Sequence, residues 1–381
     1  MNEPVRVALS RLTLSNFRNH ETLALGCEAR LVALVGANGV GKTNLLEAVS
    51  LLSPGRGLRR AQLDDMVRKG ATGGFAVSAV LEGGCGEARI GVGHAPGEAG
   101  RRIRIDGEDA RSADMLLDHL RVLWLLPAMD GLFTGAAGDR RRFLDRLVLA
   151  VDPGHGRRVA DLEKTLRARN RLLDDGGSSA FLDAVEAQLA PLAVAVSYAR
   201  REAVALLGER IATQAQLGLP FPQAGIRLTG PFEGMAGDLD ATDLEDAYRE
   251  RLVEGRFRDR AAGRTLEGPH RSDLAVTHLA KDMPAALAST GEQKALLIGL
   301  ILAHADLTTA VSGMTPVLLM DEVAAHLDPG RREALFARLS ALACQVFMTG
   351  TDAALFESLP EGGTIIALSE AGGAEPRPFA G

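Results

Sequence analysis

The sequence predicts an α/β protein in which mixed sheets carry a phosphate-binding loop and a mainly helical domain interrupts the sheet-forming segments. Three observations support this prediction. A glycine-rich loop stands between an apolar run and a helical pattern in residues 31–59. Short apolar runs that end in polar residues recur before residue 127 and after residue 261. Between them, residues 127–261 are charged and show helical periodicity with few strand patterns.

The glycine-rich loop is the most specific feature of the chain. Residues 31–35, LVALV, are typical of a buried strand, and residues 36–43 fit the P-loop pattern G-x-x-x-x-G-K-[ST]. The N–H groups of such a loop point at phosphate oxygens, and the helix that follows adds the positive end of its dipole. We expect Lys42 to reach the β- and γ-phosphates and Thr43 to ligate Mg²⁺. The residues expected to bind nucleotide are Gly36, Ala37, Asn38, Gly39, Val40, Gly41, Lys42, Thr43 and Asn44.

Composition indicates a soluble globular protein with room for two domains. The chain has 381 residues, of which 46% are hydrophobic and 24% are charged. No uninterrupted apolar run approaches the roughly 18 residues of a membrane span, and the first residues lack a signal-peptide pattern. Cys27, Cys85 and Cys344 are far apart, which favours buried free thiols in a reducing cytoplasm. The net charge of −6 does not indicate DNA binding, although a local basic patch can bind DNA on an acidic protein.

The segments around the P-loop resemble strands. Residues 7–25 alternate loosely between apolar and polar side chains and contain a polar turn with Arg18 and Asn19. Those two side chains could lie near a nucleotide or at a solvated hairpin end, and the sequence leaves both open. Residues 74–106 are typical of antiparallel strands with tight turns, and residues 121–126 of a buried strand.

The interrupting helical segment is rich in arginine. We expect it to form an inserted domain over residues 127–261, within a first domain formed by residues 1–126 and 262–381. Residues 140–171 hold ten basic and four acidic side chains. Such a run is often a solvated helix face with charge pairs four residues apart. The surplus also allows DNA-phosphate contacts, for which the candidates are Arg140, Arg141, Arg157 and Arg158.

Two further motifs follow the helical segment. A polar turn can cap the helix that begins near Glu292, and such a helix start is a ready anion site. Its phosphate-contacting residues would be Ser289, Thr290 and Gly291. Residues 316–322, PVLLMDE, indicate a buried strand that ends in two carboxylates. We expect Asp321 on the Mg²⁺ side of the P-loop, and Glu322 to polarise an attacking water as a general base.

The order of these motifs resembles the head of ABC-type ATPases. The resemblance implies that residues 289–293 are the signature motif, residues 321–322 the Walker B pair and residues 325–328 the D-loop. Residues 349–352 would take the switch position, where Thr349 and its neighbours could sense the γ-phosphate. It also implies that nucleotide is sandwiched between two subunits, with the signature of one completing the site of the other.

Within that class, the chain closely resembles the RecF family of bacterial recombination mediators. The resemblance lies in Leu12–Leu25, the P-loop segment, Gly138–Val148 and Gly268–Leu274. It implies a DNA-binding protein and weak ATPase that dimerises on ATP. Its partners would be RecO, RecR and DNA, as duplex or as junctions of single and double strands. The family acts in RecA loading at gaps, DNA repair, recombination, replication restart and the SOS response.

One segment departs from the family pattern, and several alternatives stay open. Residues 127–130, PAMD, lack the acidic motif that the family pattern has after this strand, so either Asp130 or another residue would serve as the Q-loop residue. Ser289 follows Lys42 by 247 positions, an interval that is too short for a long coiled coil of the SMC type. The alternatives are another SMC-like ATPase head without a long coiled coil, a transporter ATPase and, in a different class, a P-loop small-molecule kinase. Particle size with and without ATP separates a dimerising head from a monomeric kinase.

Overall fold

The computed structural model describes residues 3–84, 86–216, 218, 220–237, 239–325, 327–369 and, for the backbone only, 374–378. Cys85 lies outside these residues, and so does His326, which belongs to the predicted D-loop. The described chain confirms the predicted α/β class with mixed sheets and helices. Cys27 and Cys344 are buried free thiols, and burial raises the pKa of each to about 12.

The chain divides into two compact units. The first comprises Met1–Asp130, Gln214–Phe221 and Leu297–Gly381, and the second comprises Gly131–Thr213 and Pro222–Leu296. These limits differ from those of the expected domains, 1–126 with 262–381 and 127–261, because residues 262–296 pack with the helical part. The domain assignment itself stays a prediction.

The described residues form fifteen strands and eight α-helices, together with short 3-10 turns. The strands are β1 (Ala8–Phe17), β2 (His20–Gly26), β3 (Leu31–Val35), β4 (Phe75–Gly83), β5 (Gly86–His94), β6 (Arg102–Ile105), β7 (Glu108–Asp109), β8 (Val122–Leu125), β9 (Ala224–Thr229), β10 (Asp273–His278), β11 (Met283–Pro284), β12 (Val317–Met320), β13 (Gln345–Gly350), β14 (Thr364–Leu368) and β15 (Ala374–Pro378). The helices are α1 (Lys42–Ser50), α2 (Ala137–Val151), α3 (His155–Asp174), α4 (Ser179–Ala215), α5 (Pro231–Ala236), α6 (Ala241–Ala262), α7 (Thr290–Ser312) and α8 (Pro329–Ala341).

The first unit contains two six-stranded sheets. One is antiparallel, in the order β2-β1-β4-β5-β6-β7, and the other is mixed, in the order β15-β14-β3-β13-β12-β8. In the mixed sheet only β15 runs antiparallel to its neighbour. Strands β3, β13, β12 and β8 are adjacent, parallel and buried at every residue. Because the carboxyl ends of parallel strands meet at one edge, the residues that follow these strands converge there.

The second unit is mainly helical but contains a small sheet. Strand β9 pairs with β10, which pairs with β11. The charged, helix-like sequence pattern of residues 127–261 did not predict β9, because the strand that pairs with it, β10, lies more than 40 residues later in the chain. The core of this unit also holds the fully buried Arg169, which pairs with Glu186 at 2.8 Å and with Asp259 at 2.6 Å. Such a buried cation requires carboxylate partners to offset its desolvation.

Among the residues that the structure describes, two helices, α4 and α7, are long and apolar enough to cross a membrane when a few polar residues are tolerated. This is weak evidence for a membrane span, because core helices have the same composition. In α7, 67% of the apolar window is buried within the protein, which agrees with a role as a core helix.

Candidate nucleotide-binding site

The glycine-rich loop is closely packed by the chain around it. Gly36 has a φ of +152°, and a Cβ there would lie 2.7 Å from the Leu368 carbonyl oxygen. Gly41 has a φ of +108°, and a Cβ there would lie within 2.7 Å of the Asn19 and His20 side chains. Any side chain at either position would meet these neighbours and the strain of a left-handed backbone. The loop therefore requires glycine at both places.

Lys42, the first residue of α1, turns its side chain into the loop. Its ammonium nitrogen donates hydrogen bonds to the carbonyl oxygens of Gly36 at 2.7 Å and Ala37 at 2.9 Å. The pKa of Lys42 lies below its ordinary value because burial lowers it, and the negative charges of Glu322 and Asp321 offset part of that lowering. A positive charge is thus held where the loop is expected to wrap phosphates.

The predicted Mg²⁺ and water-activating residues meet beside this loop. The Thr43 hydroxyl donates to both carboxylate oxygens of Asp321, at 3.0 and 3.1 Å. The Thr349 hydroxyl donates to Asp321 Oδ1 at 2.6 Å and accepts the Glu322 N–H at 2.9 Å. The Asp321 N–H in turn donates to the carbonyl of Leu125 at 2.9 Å. The carboxyl ends of β12, β13 and β8 are therefore joined by hydrogen bonds next to the P-loop helix.

The oxygen donors at this position fit a magnesium ion. Mg²⁺ is usually bound by one or two protein oxygens together with substrate phosphates and waters. The Thr43 hydroxyl and the Asp321 carboxylate lie about 3 Å apart, at the start of the helix that the phosphates are expected to meet. This pair could hold Mg²⁺ once phosphate oxygens complete the coordination.

Glu322 has an unusual backbone. Its φ is +51°, the left-handed region that residues other than glycine rarely adopt. A backbone of this kind costs about 1 kcal/mol or more and is often found at functional sites. The sequence alone contains no sign of it, because Glu322 is neither a glycine nor an asparagine.

The turn between β1 and β2 contacts the P-loop and its helix. The sequence left open whether Arg18 and Asn19 lie near a nucleotide or at a solvated hairpin end, and both side chains lie against the P-loop segment. The Asn19 amide donates to the carbonyl of Val40 within the loop at 3.0 Å. The Asn44 amide donates to the Asn19 side-chain oxygen at 2.7 Å, and Arg59 donates to the Asn44 side-chain oxygen at 2.7 Å. Asn44, which was expected to contact nucleotide, thus connects the loop to its surroundings.

Arg18 from the same turn holds the P-loop helix. Its guanidinium forms two hydrogen bonds, at 2.7 and 2.8 Å, with the fully buried carboxylate of Glu47 in α1. Arg59 donates to the same carboxylate at 3.0 Å. These paired charges fix the orientation of α1, which is a supporting role for Arg18 in the described chain.

Arg101 is a supporting residue that sequence reasoning missed. Its guanidinium donates to the carbonyl oxygens of Leu51 at 2.5 Å and Ser53 at 2.7 Å, just after the end of α1. A cation at a helix C-terminus interacts favourably with the helix dipole. Burial lowers the pKa of Arg101 to about 10. No local pattern could reveal this contact, because about 50 residues separate the partners.

The signature residues lie in the second unit and begin α7 as a capping box. The Ser289 hydroxyl and N–H donate to one carboxylate oxygen of Glu292, at 2.9 and 3.1 Å. The Lys281 ammonium lies 2.6 Å from the other oxygen. These hydrogen bonds, first that from Lys281, lower the pKa of Glu292 to about 2. Ser289, Thr290 and Gly291 are all exposed.

Two of the candidate DNA-binding arginines have partners within the second unit. Arg140 forms a two-point ion pair with Asp273, with both distances 2.7 Å. Arg141 donates to the carbonyl of Ser272 at 2.7 Å. These contacts attach α2 to β10 and favour a structural role for both arginines.

The other two candidates lie on α3. Arg158 is paired with Asp152. Arg157 is 83% exposed and lies 3.8 Å from Asp161, a distance at the limit for an ion pair.

Asp130, the candidate Q-loop residue, follows the short turn Pro127–Met129 after β8. The roles of all these residues stay predictions.

Comparison with known proteins gives a consistent result. A family model described as the RecF/RecN/SMC N terminal domain matches residues 8–368. A protein of Mesorhizobium japonicum called DNA replication and repair protein RecF is 58% identical over 359 residues, covering 93% of this chain and 94% of that one. The protein of the same name from Brucella suis biovar 1 is 58% identical over 361 residues, covering 93% of each chain.

Solved structures agree in fold. One is the recombination mediator protein RecF with ATPrS in the RecFOR pathway, with a TM-score of 0.86, 22% identity and 98% coverage of both chains. Another is an Smc head domain derived from Pyrococcus furiosus, with a TM-score of 0.54, 14% identity and coverage of 97% and 96%. At these identities the likeness concerns the fold alone.

Proposed function

The chain belongs to the RecF/RecN/SMC N-terminal domain family, and on this premise we propose that it is an ATP-dependent DNA-binding protein of DNA replication and repair. One observation carries the proposal. The P-loop lysine and threonine lie beside a carboxylate pair that follows a parallel strand, with Thr43 3.0 Å from Asp321. Such an arrangement binds a nucleoside triphosphate with Mg²⁺ and positions a water for hydrolysis.

Different residues of the site would bind the phosphates, hold Mg²⁺ and activate the attacking water. The P-loop N–H groups and Lys42 hold the phosphates, and Thr43 and Asp321 would hold Mg²⁺, which neutralises phosphate charge when bound. Glu322 accepts a proton from the attacking water as the water oxygen bonds to the γ-phosphorus and the bond to the ADP oxygen breaks. We infer a weak, regulatory ATPase, as the resemblance implies.

The signature residues would act on the nucleotide of a second copy of the chain. Their exposure supports this, since Ser289, Thr290 and Gly291 are accessible to a partner at the start of a long helix. The hydroxyl and N–H of Ser289, which here bind Glu292, are the groups that a γ-phosphate would engage. ATP would therefore act as the bridge of a homodimer.

Replacing Ser289 with arginine is expected to block ATP-driven dimerisation without affecting ATP binding by the monomer. The bulky cation would fill the helix start where the partner's phosphate must approach. Light scattering with and without ATP gives the size, and a fluorescent ATP analogue gives the affinity. Ser178→Arg, at an exposed serine in the same unit, is the matched control. A dimer of normal stability, or loss of both properties together, would contradict the trans role.

We further propose that the protein works in the cytoplasm with RecO and RecR in loading RecA at single-strand gaps. This would place it in recombination, replication restart and the SOS response. The support is the family membership, together with the similarity in fold to a solved recombination mediator RecF that is described as part of the RecFOR pathway. Its DNA would be duplex or junctions of single and double strands.

The exposed face of α3 is the part of the second unit that best suits contact with DNA. Four basic side chains with spacings of seven, three and four residues share this face: Arg157, Lys164, Arg167 and Arg171. They extend over about 21 Å at 1.5 Å per residue. The acids nearest to two of them are 3.6 to 3.8 Å away and exposed, so these pairs stabilise little. The α3 face can therefore exchange these pairs for phosphates.

Changing both Lys164 and Arg171 to glutamate is expected to weaken DNA binding by roughly tenfold or more and to reduce its salt dependence. Each lost phosphate contact lowers the slope of log K against log salt by about one. The measurement is a DNA-binding titration between low and physiological salt. The control is Arg258→Glu, which changes an exposed arginine of α6. Unchanged affinity and slope would remove α3 from the interface.

A further inference from the structure

Thr349 connects the two carboxylate-bearing residues of the site. It is fully buried near the end of β13, where its backbone pairs with Leu34 in β3, the strand that leads into the P-loop. Its hydroxyl donates to Asp321 Oδ1 at 2.6 Å and accepts the N–H of Glu322 at 2.9 Å. One hydroxyl therefore uses its proton for one residue and a lone pair for the next.

The contact with Asp321 differs from that of the P-loop threonine. Thr43 also donates to the Asp321 carboxylate, at 3.0 and 3.1 Å, but it lies at the start of α1 and is expected to rearrange when nucleotide binds. Thr349 lies in a central strand with buried neighbours on both sides. It holds the carboxylate in place from the sheet, independently of the loop.

The contact with Glu322 holds a backbone that would otherwise relax. Glu322 has a φ of +51°, which an L-residue adopts only when its surroundings require it. Without the Thr349 oxygen, this partly buried N–H would lose its acceptor. The hydrogen bond to this N–H therefore fixes the main chain of Glu322, and with it the position from which the Glu322 side chain projects.

We propose that Thr349 is a positioning residue that places the metal-side carboxylate of Asp321 and the general base Glu322 together. This rests on the proposed ATPase function. It also changes the expectation for Thr349, because this hydroxyl is fully buried in β13 and donates its proton to Asp321, whereas the hydroxyl of Ser289 is exposed. Thr349 acts through Asp321 and Glu322 and does not touch the nucleotide.

The test compares Thr349→Val, which keeps the shape but loses the hydroxyl, with Thr349→Ser, which keeps the hydroxyl. For the valine variant we expect turnover to fall on the order of tenfold to hundredfold. We also expect a higher Mg²⁺ concentration for half-maximal turnover. Affinity for a fluorescent ATP analogue in EDTA should equal that of the wild type. The serine variant should behave as the wild type in all three measurements.

The outcomes separate this inference from the proposed function. Wild-type protein without Mg²⁺-dependent ATP hydrolysis would refute the function itself. An active wild type with an equally active valine variant would overturn only the role of Thr349. Equal losses in valine and serine variants, or loss of ATP affinity in EDTA, would indicate a merely structural residue. If valine prevents folding, the pair Thr349→Ala and Thr349→Ser repeats the comparison.

Discussion

Replacing Glu322 with glutamine is expected to reduce ATP turnover on the order of a hundredfold or more while leaving an ATP-bound dimer that does not dissociate. A glutamine has the size of the glutamate, but its neutral amide cannot accept a proton from water. The left-handed backbone and the hydrogen bond to Thr349 involve the main chain and should persist. Single-turnover hydrolysis and light scattering after ATP addition measure the two effects.

The control for this variant is Glu333→Gln, which makes the same change at an exposed position in α8. It should hydrolyse ATP and release its dimer at wild-type rates. Unchanged turnover in the Glu322 variant would exclude that residue as the base. Loss of nucleotide binding would instead assign the carboxylate a role in holding the ligand.

Lys42→Arg is the second change with a large expected effect, a loss of ATP affinity of about tenfold or more with a matching loss of ATP-driven dimerisation. The Lys42 ammonium fits between two loop carbonyls at 2.7 and 2.9 Å, and the residue is only 6% exposed. The planar guanidinium keeps the charge but is larger and directs its hydrogen bonds differently. Equilibrium binding of a fluorescent ATP analogue measures the loss.

The control is Lys69→Arg, the same exchange at an exposed position in the first unit, which should leave the affinity for ATP unchanged. Thermal unfolding of both variants distinguishes a poorly folded protein from a specific defect. A Lys42→Arg protein that dimerises normally on ATP would refute the proposed position of this lysine at the phosphates.

The sequence by itself determined the parts of the site that depend on neighbouring residues. A P-loop is formed by glycines, a lysine and a threonine at fixed spacing, so residues 36–43 specify both the turn and the helix that follows. The run of residues 317–320 is uniformly apolar because β12 is buried on both faces. For the same reason, the carboxylates after it could be assigned to the edge where parallel strands end.

Only the tertiary structure decided which side chains support these motifs and which of them are exposed. Arg18, Asn19 and Arg101 lie outside the P-loop and its helix in the chain, yet they hold both through long-range hydrogen bonds. A run of arginines likewise does not reveal that Arg140 is paired with Asp273 while Arg157 faces solvent. Such distinctions arise because hydrogen bonds and burial depend on distance in space, whereas a sequence motif records only distance along the chain.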